Sequence, residues 1–235
     1  MHPSLLLLTD SRLPAGGHAH SGGTERAIAA GAVHDVPSLA SFLRGRLHTT
    51  GTLTAALTAA ACTHADAGSS WRVLDAEVDA RTASPAQRDA SRTQGRLLLR
   101  VARRVWPSPV LDELAEILPS PHHPIALGAT AHAAGATPEE AALAAAYHAV
   151  TGPATAAVRL LGLDPVAVHA LLAALTPDLT AVATQAALSA APPPTCENAL
   201  GAETSGWETL PAYSAPALDL LAEQHAQAEV RLFIS

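Results

Sequence analysis

Apolar residues recur along this chain at spacings of three and four rather than two, and the breaks between the recurring stretches carry helix-start chemistry. No segment alternates apolar and polar positions over a useful length, so the pattern predicts helices and no sheet. The clearest starts are a Ser, Thr or Asp followed at once by Pro: Ser84–Pro85, Ser108–Pro109, Thr137–Pro138, Asp164–Pro165 and Thr176–Pro177. In each, a side-chain oxygen is placed to accept a backbone N–H with no partner inside the helix, while Pro fills a first-turn position where no N–H is needed. Thr137 adds an acid three residues on, Glu140, which completes a capping box. These signals predict helices over 85–105, 111–118 and 138–150, and two more opening at 165 and 177. Pro37 with Ser38 opens another to about Thr50, and the Ala/Leu/Thr-rich stretch 53–64 is placed to continue it past Gly51. Residues 24–30 read as a short helix ending near Gly31. The segment before it is loop-like beyond the four leucines at 5–8, and is punctuated by Pro14, Gly16, Gly17, Gly22 and Gly23.

The pattern breaks at 191–214. Pro192, Pro193 and Pro194 cannot continue a helix, and Gly201, Ser205, Gly206 and Pro211 follow, so the stretch reads as a linker or an ordered loop with a role. A last helix is predicted from Pro216 to about Val230, ahead of the tail Arg231-Leu232-Phe233-Ile234-Ser235. The expectation is one all-α domain over 1–235: a helical bundle, a long Pro/Gly-rich loop, and a C-terminal helix and tail over 215–235.

Composition sharpens this picture. Hydrophobic residues make up 49% of the 235 but aromatics only 3%, so the core is expected to be Leu, Val and Ala, packed helix on helix. The formal charge of −7 argues against a nucleic-acid partner, which needs a positive field to replace phosphate counterions. All 14 basic residues are arginine, which rules out Schiff-base catalysis and a P-loop that depends on its lysine. The two cysteines, Cys62 and Cys196, form no disulfide framework or CxxC site, and a reduced, cytoplasmic setting fits them. The leucine run is too short for a signal sequence or a bilayer span, and the later Ala-rich stretches are interrupted, so no membrane role is expected.

Four segments carry chemistry. The first runs from Asp10 through Leu13-Pro14-Ala15-Gly16-Gly17-His18-Ala19-His20-Ser21-Gly22-Gly23 to Glu25; it reads as a structured turn, with His18 and His20 as a weaker pair of metal candidates. The second is a stripe of Arg88, Arg92, Arg96, Arg100 and Arg104 at successive i+4 positions, with Arg103 beside it. Like charges at that spacing repel, so acids must face it: Asp75, Glu77, Asp79 and Asp89 from within, or an acidic partner surface. The third, His122-His123-Pro124 to Gly128, reads as loop packing or capping rather than metal ligation, and is expected to precede an Ala-rich helix. The fourth is the last helix, where Leu218, Leu221, Ala222 and His225 share a face, and the apolar tail. Core docking of that tail and ordering against a partner are both open. No HExxH, GxGxxG or paired-carboxylate signature argues for catalysis.

These segments, in this order, resemble the UreF family of urease accessory proteins. The resemblance rests on Asp10, Leu13-Pro14, Gly16, His20-Ser21-Gly22 and Glu25; on Ser91-Arg92 with Gly95-Arg96-Leu97-Leu98; on His123-Pro124 and Gly128; on Ala156-Ala157-Val158-Arg159-Leu160; and on Leu218-Asp219, His225 and Arg231 to Ser235. His18 stands where the family commonly has an aromatic residue, and 161–164 lacks the Gln the family carries nearby. The resemblance implies an all-α, non-enzymatic, cytoplasmic scaffold. It implies a homodimer that joins UreD/UreH and the GTPase UreG and delivers nickel to apo-urease, with no stably bound cofactor. It makes Pro14, Gly16, His20, Ser21, Gly22, Arg92, Gly95, Arg96, Arg100, Asp219, His225, Arg231, Leu232, Phe233 and Ser235 candidate partner-binding residues. Two alternatives are an activator of UreG using Arg96 or Arg100 as an arginine finger, and a nickel-binding protein using His18, His20 or the His122/His123 pair.

Overall fold

A computed structural model describes residues 3–67, 71–190 and 209–235. Among these the chain forms helices and no strand: α1 (Pro3–Leu8), α2 (Thr24–Ala29), α3 (Val36–Arg46), α4 (Thr52–Ala67), α5 (Trp71–Arg81), α6 (Pro85–Val105), α7 (Pro109–Ile117), α8 (His123–Ala133), α9 (Pro138–Leu161), α10 (Pro165–Ala174), α11 (Thr176–Ser189) and α12 (Pro216–Ala226). The helix α4 is the hub, packed against α8, α9 and α11. Its Ala55, Ala56, Ala59 and Ala60 are fully buried, as are Ala126 and Ala129 of α8 and Ala141, Ala142 and Ala146 of α9. Small side chains bring helix axes close. At Gly128 the approach is so tight that a Cβ would lie 2.5 Å from the Ala61 Cβ and 2.8 Å from the Cys62 nitrogen. The space left is filled by leucines such as Leu39, Leu43, Leu57, Leu74, Leu111 and Leu127, all fully buried. The aromatic-poor composition therefore yields a dense core of small and branched side chains, with Trp71 as its one fully buried large ring among the described core residues.

The caps act as the sequence signals require. Ser84 accepts from the Gln87 N–H at 3.1 Å, Asp164 accepts from Val166, and Thr137 and Glu140 bond reciprocally. The start of α3 differs in detail: Asp35 is its cap and Ser38 the reciprocating partner. Ser108 makes no side-chain cap bond, and Thr176 lies within α11 rather than capping it. The helices α1 and α5 are not among those the sequence pattern predicts. The third segment does not precede a helix, because α8 begins at His123 and contains Gly128. The last helix ends at Ala226 rather than near Val230. Residues 191–208 of the expected loop lie outside the described residues; just after them Leu210 is buried, and the Pro211 carbonyl accepts from Arg81 Nε at 3.2 Å.

Two irregularities shape the middle of the molecule. A π-helical turn, Leu47–Gly51, joins α3 to α4, so the two run on as the composition of 53–64 suggests. The helix α9 does not stop at Val150 but runs through Pro153 to Leu161, where Gly162 ends it at a φ of 64°. Proline has no N–H to give the carbonyl four residues back. That carbonyl belongs to Ala149, and the Arg46 Nε donates to it at 3.0 Å instead. Long-range replacement of the missing donor lets the helix continue.

Among the described residues no single helix is long and apolar enough to cross a membrane. The consecutive pair α10 and α11 passes on combined length and composition but is bent by 45°.

Candidate functional site

The opening segment and the tail, at opposite ends of the chain, form one structure. Gly22 and Gly23 have φ values of 60° and 89°, a left-handed region that L side chains avoid. The turn they make brings Ser21 and His20 against the last residues. The Ser21 N–H donates to a main-chain carboxylate oxygen of Ser235, the Ile234 N–H donates to the Ala19 carbonyl at 2.7 Å, and His20 Nδ1 lies 2.6 Å from the Ser235 hydroxyl. Glu25, in the first turn of α2, accepts the Leu232 and Phe233 N–H groups at 2.9 and 3.2 Å. His225 of α12 donates from Nε2 to the Phe233 carbonyl at 3.1 Å, and its Nδ1 lies 3.7 Å from Glu25. The Phe233 ring is buried, with the Arg159 guanidinium 5.3 Å from its centre, a cation–π pair. Val230, Leu232 and Ile234 stay exposed, as does Leu220. Docking thus buries one tail side chain and presents three apolar ones around it.

The α12 helix is fastened to the start of α6. Glu223 accepts from the Ser84 hydroxyl at 2.5 Å and from the Ala86 N–H at 2.9 Å, and Gln87 donates to Asp219 at 3.0 Å. A carboxylate at a helix N-terminus is favoured by the helix dipole. The Ser84 bond, then the Ala86 N–H, hold the Glu223 pKa below its ordinary value. Burial and Glu223 nearby raise that of Asp219.

The arginine stripe divides. Arg92 donates to Asp75 at 3.0 Å, to Asp79 at 2.6 Å and to the Ser120 carbonyl at 3.0 Å. His122 completes the network: its N–H donates to Asp75, its Nε2 lies 2.9 Å from Asp79, and its Nδ1 lies 3.1 Å from the Ser91 hydroxyl. Burial alone would raise the Asp79 pKa, but His122 and Arg92 outweigh it and lower it; burial lowers that of His122. Gly95 sits against the Pro121 carbonyl, and a Cβ there would lie 2.8 Å from the His122 carbonyl carbon. The second and third segments are therefore one joint of α5, α6 and the 119–122 turn. Asp75, Asp79 and His122 also place three metal-ligand atoms together, but Arg92 already bridges the two carboxylates. Arg96 and Arg100 are exposed and make no ion pair among the described residues, while Arg103 pairs with Asp112 at 2.7 Å.

The remaining candidates scatter around the loop. Pro14 and His18 are exposed, Gly16 has a φ of 80° with its α-carbon against Leu97, and Arg231 is exposed. His18 and His20 lie in unlike settings, His18 outside and His20 buried. Burial and nearby His18 lower the His20 pKa to about 4. A cavity of about 890 Å³ opens behind the loop and tail, lined by His20, Arg46, His123 and His148 among others. Burial lowers the pKa of His123 to about 3, helped by His148 and His20, and that of His148 to about 4. Sequence reasoning does not single out Glu25, Arg46, His148 or the ring partner Arg159 as site residues. An acid in the first turn of α2 is the legible signal for Glu25; Arg46 and His148 have none.

The geometry defines a class: an all-α protein whose distinctive segments serve joints and a loop–tail surface. The UreF family model matches residues 33–176. The chain is 43% identical over 232 residues to the urease accessory protein UreF of Mycolicibacterium vanbaalenii, covering 99% of this chain and 98% of that one. It is 44% identical over 231 residues to that of Mycobacterium marinum, covering 98% and 97%, and 42% identical over 231 residues to that of Mycobacterium tuberculosis, with the same coverage. The chain belongs to the UreF family, whose members named here are urease accessory proteins.

Proposed function

We propose that this protein is a cytoplasmic scaffold for urease maturation. It joins UreD/UreH and the GTPase UreG, as a homodimer, in the assembly that delivers nickel to apo-urease, and it holds no stable cofactor of its own. The observation that carries this reading is the near-full-length identity to urease accessory proteins, combined with a loop–tail surface that presents Leu220, Leu232 and Ile234 to solvent. Apolar side chains held outward by a docked backbone suit recognition of another protein.

The test is co-expression with UreD/UreH and size-exclusion chromatography with light scattering, beside a form truncated after Val230. A complex that the truncation abolishes supports the scaffold with its interface at 231–235. A complex that survives moves the interface elsewhere. No complex from two folded, soluble partners overturns the assignment. A second reading, activation of UreG, is favoured by the exposed Arg96 and Arg100, which have no acidic partner among the described residues. An arginine finger raises GTP hydrolysis by about three to five orders of magnitude. If Arg96→Ala and Arg100→Ala both leave UreG turnover in the complex unchanged, that reading fails.

A further inference from the structure

Arg46 is a half-buried cation. Its Nε and Nη1 donate to the Ala149 and Gly22 carbonyls at 3.0 and 2.8 Å, and it makes no ion pair among the described residues. Two carbonyl dipoles orient a guanidinium without neutralising its unit charge, and withdrawing a charge even partly from water carries a cost that a paired anion offsets. Burial lowers the Arg46 pKa to about 10, so the group stays charged at neutral pH. It lines the 890 Å³ cavity together with His20, His123 and His148. The acidic side chains that line the same cavity are Asp10, which pairs with Arg12 at 2.6 Å, and Asp89, which is exposed; the main-chain carboxylate of Ser235 also borders it, where one oxygen accepts from the Ser21 N–H.

A second observation lies beside it. His20 is 6% exposed, and its Nε2 is buried with no hydrogen-bond partner, while its Nδ1 faces the Ser235 hydroxyl. When that hydroxyl donates to Nδ1, the ring proton sits on Nε2 and is a donor without an acceptor. His20 is two residues from Gly22, whose carbonyl holds Arg46.

We propose that this cavity is a binding site for a small planar oxyanion, of the carboxylate or bicarbonate class, anchored by Arg46. The flat guanidinium matches the two oxygens of such an anion better than a spherical ion. A divalent cation fits poorly. His123 and His148 have ring centres 6.5 Å apart. Among the described residues the one group of three convergent ligand atoms is at Asp75, Asp79 and His122. A fixed positive charge in the wall also opposes a second one. This site is independent of the scaffold reading, and its test needs no partner protein.

The test uses the purified chain in a buffer free of carboxylates and bicarbonate. Formate, acetate, bicarbonate, sodium chloride and nickel chloride are each titrated up to about 50 mM at constant ionic strength while the unfolding midpoint is followed. The expected result is a saturable rise with at least one of the three oxyanions and none with chloride. That rise is to fall at least about tenfold in apparent affinity in Arg46→Gln and to persist in Arg72→Gln, at an exposed control position. The ranking of bicarbonate against acetate separates a carbonate-type ligand from a carboxylate. No saturable rise with any oxyanion overturns the proposal, as does an equal rise in Arg46→Gln, or a response to nickel alone. If Arg46→Gln does not fold, crystals of the wild-type chain soaked in formate decide: planar density against the Arg46 guanidinium upholds the site, and its absence removes it.

Discussion

Side chains that lack atoms decide as much here as those that carry charge. Gly95 lies in a helix, where alanine is ordinarily favoured by about 0.5–1 kcal/mol. Its α-carbon faces the Pro121 carbonyl and the His122–His123 peptide so closely that a methyl group has no room. Gly95→Ala is therefore expected to reverse the ordinary sign and destabilise by about 1–3 kcal/mol in urea denaturation; a neutral or stabilising result would show that the joint can open. Glu25 works the other way, by what it accepts. As a carboxylate it takes two tail N–H groups at once. Glu25→Gln keeps the shape but turns one oxygen into a donor that faces an N–H. Amide hydrogen exchange at Leu232 and Phe233 should speed up by about ten- to a hundredfold, from loss of a bond of about 1.5–3 kcal/mol, while the core helices keep their protection. Unchanged exchange at those two amides would mean that Glu25 does not hold the tail.

The helix α9 is shaped by a single missing donor. Its first turn is legible in the sequence, because Thr137 and Glu140 satisfy each other across three residues. Its end is not, because local rules break a helix at proline and Pro153 sits eight residues before the observed end at Leu161. The coupling is testable by a double-mutant cycle. Arg46→Ala strands the Ala149 carbonyl, at a cost of about 1–3 kcal/mol. Pro153→Ala supplies an N–H to the same carbonyl. In denaturant titrations the double variant should therefore be more stable than the sum of the singles predicts, by about 0.5–1.5 kcal/mol. Strict additivity would show that the two residues do not share that acceptor. The short helices α1 and α5 are illegible for a related reason: they take their stability from packing of Leu5, Leu8, Trp71, Leu74 and Val78 into the common core.

For the whole molecule, the histidines around the cavity make stability depend on pH. Burial depresses His20, His123 and His148 to between about 3 and 4, against about 6.5 when unfolded. The cation Arg46, the exposed His18 and the main-chain carboxylate of Ser235 border the same cavity, and the acidic side chains on its lining, Asp10 and Asp89, are paired or exposed. Below about pH 6.5 the unfolded chain binds more protons than the folded one, so stability falls as the pH drops toward about 4. The melting temperature should decline over that window, and His148→Gln should flatten the decline; a level profile from about pH 7 to 4.5 in the wild type would contradict neutral burial. What the amino-acid order determined by itself was local: the all-α class, the capped helix starts, the alanine core and the segments that resemble the UreF family. Each depends on residues a few positions apart, or on bulk composition, and so survives in any arrangement of the helices. Tertiary structure alone decided that the tail lies on the opening loop, that Arg92 meets Asp75 and Asp79, and that Arg46 is half-buried beside a cavity. Those outcomes rest on bonds such as Arg46 to Ala149, across 103 positions, and Leu232 to Glu25, across 207. Such bonds form only once packing has brought distant donors and acceptors together and removed the water that would otherwise satisfy them.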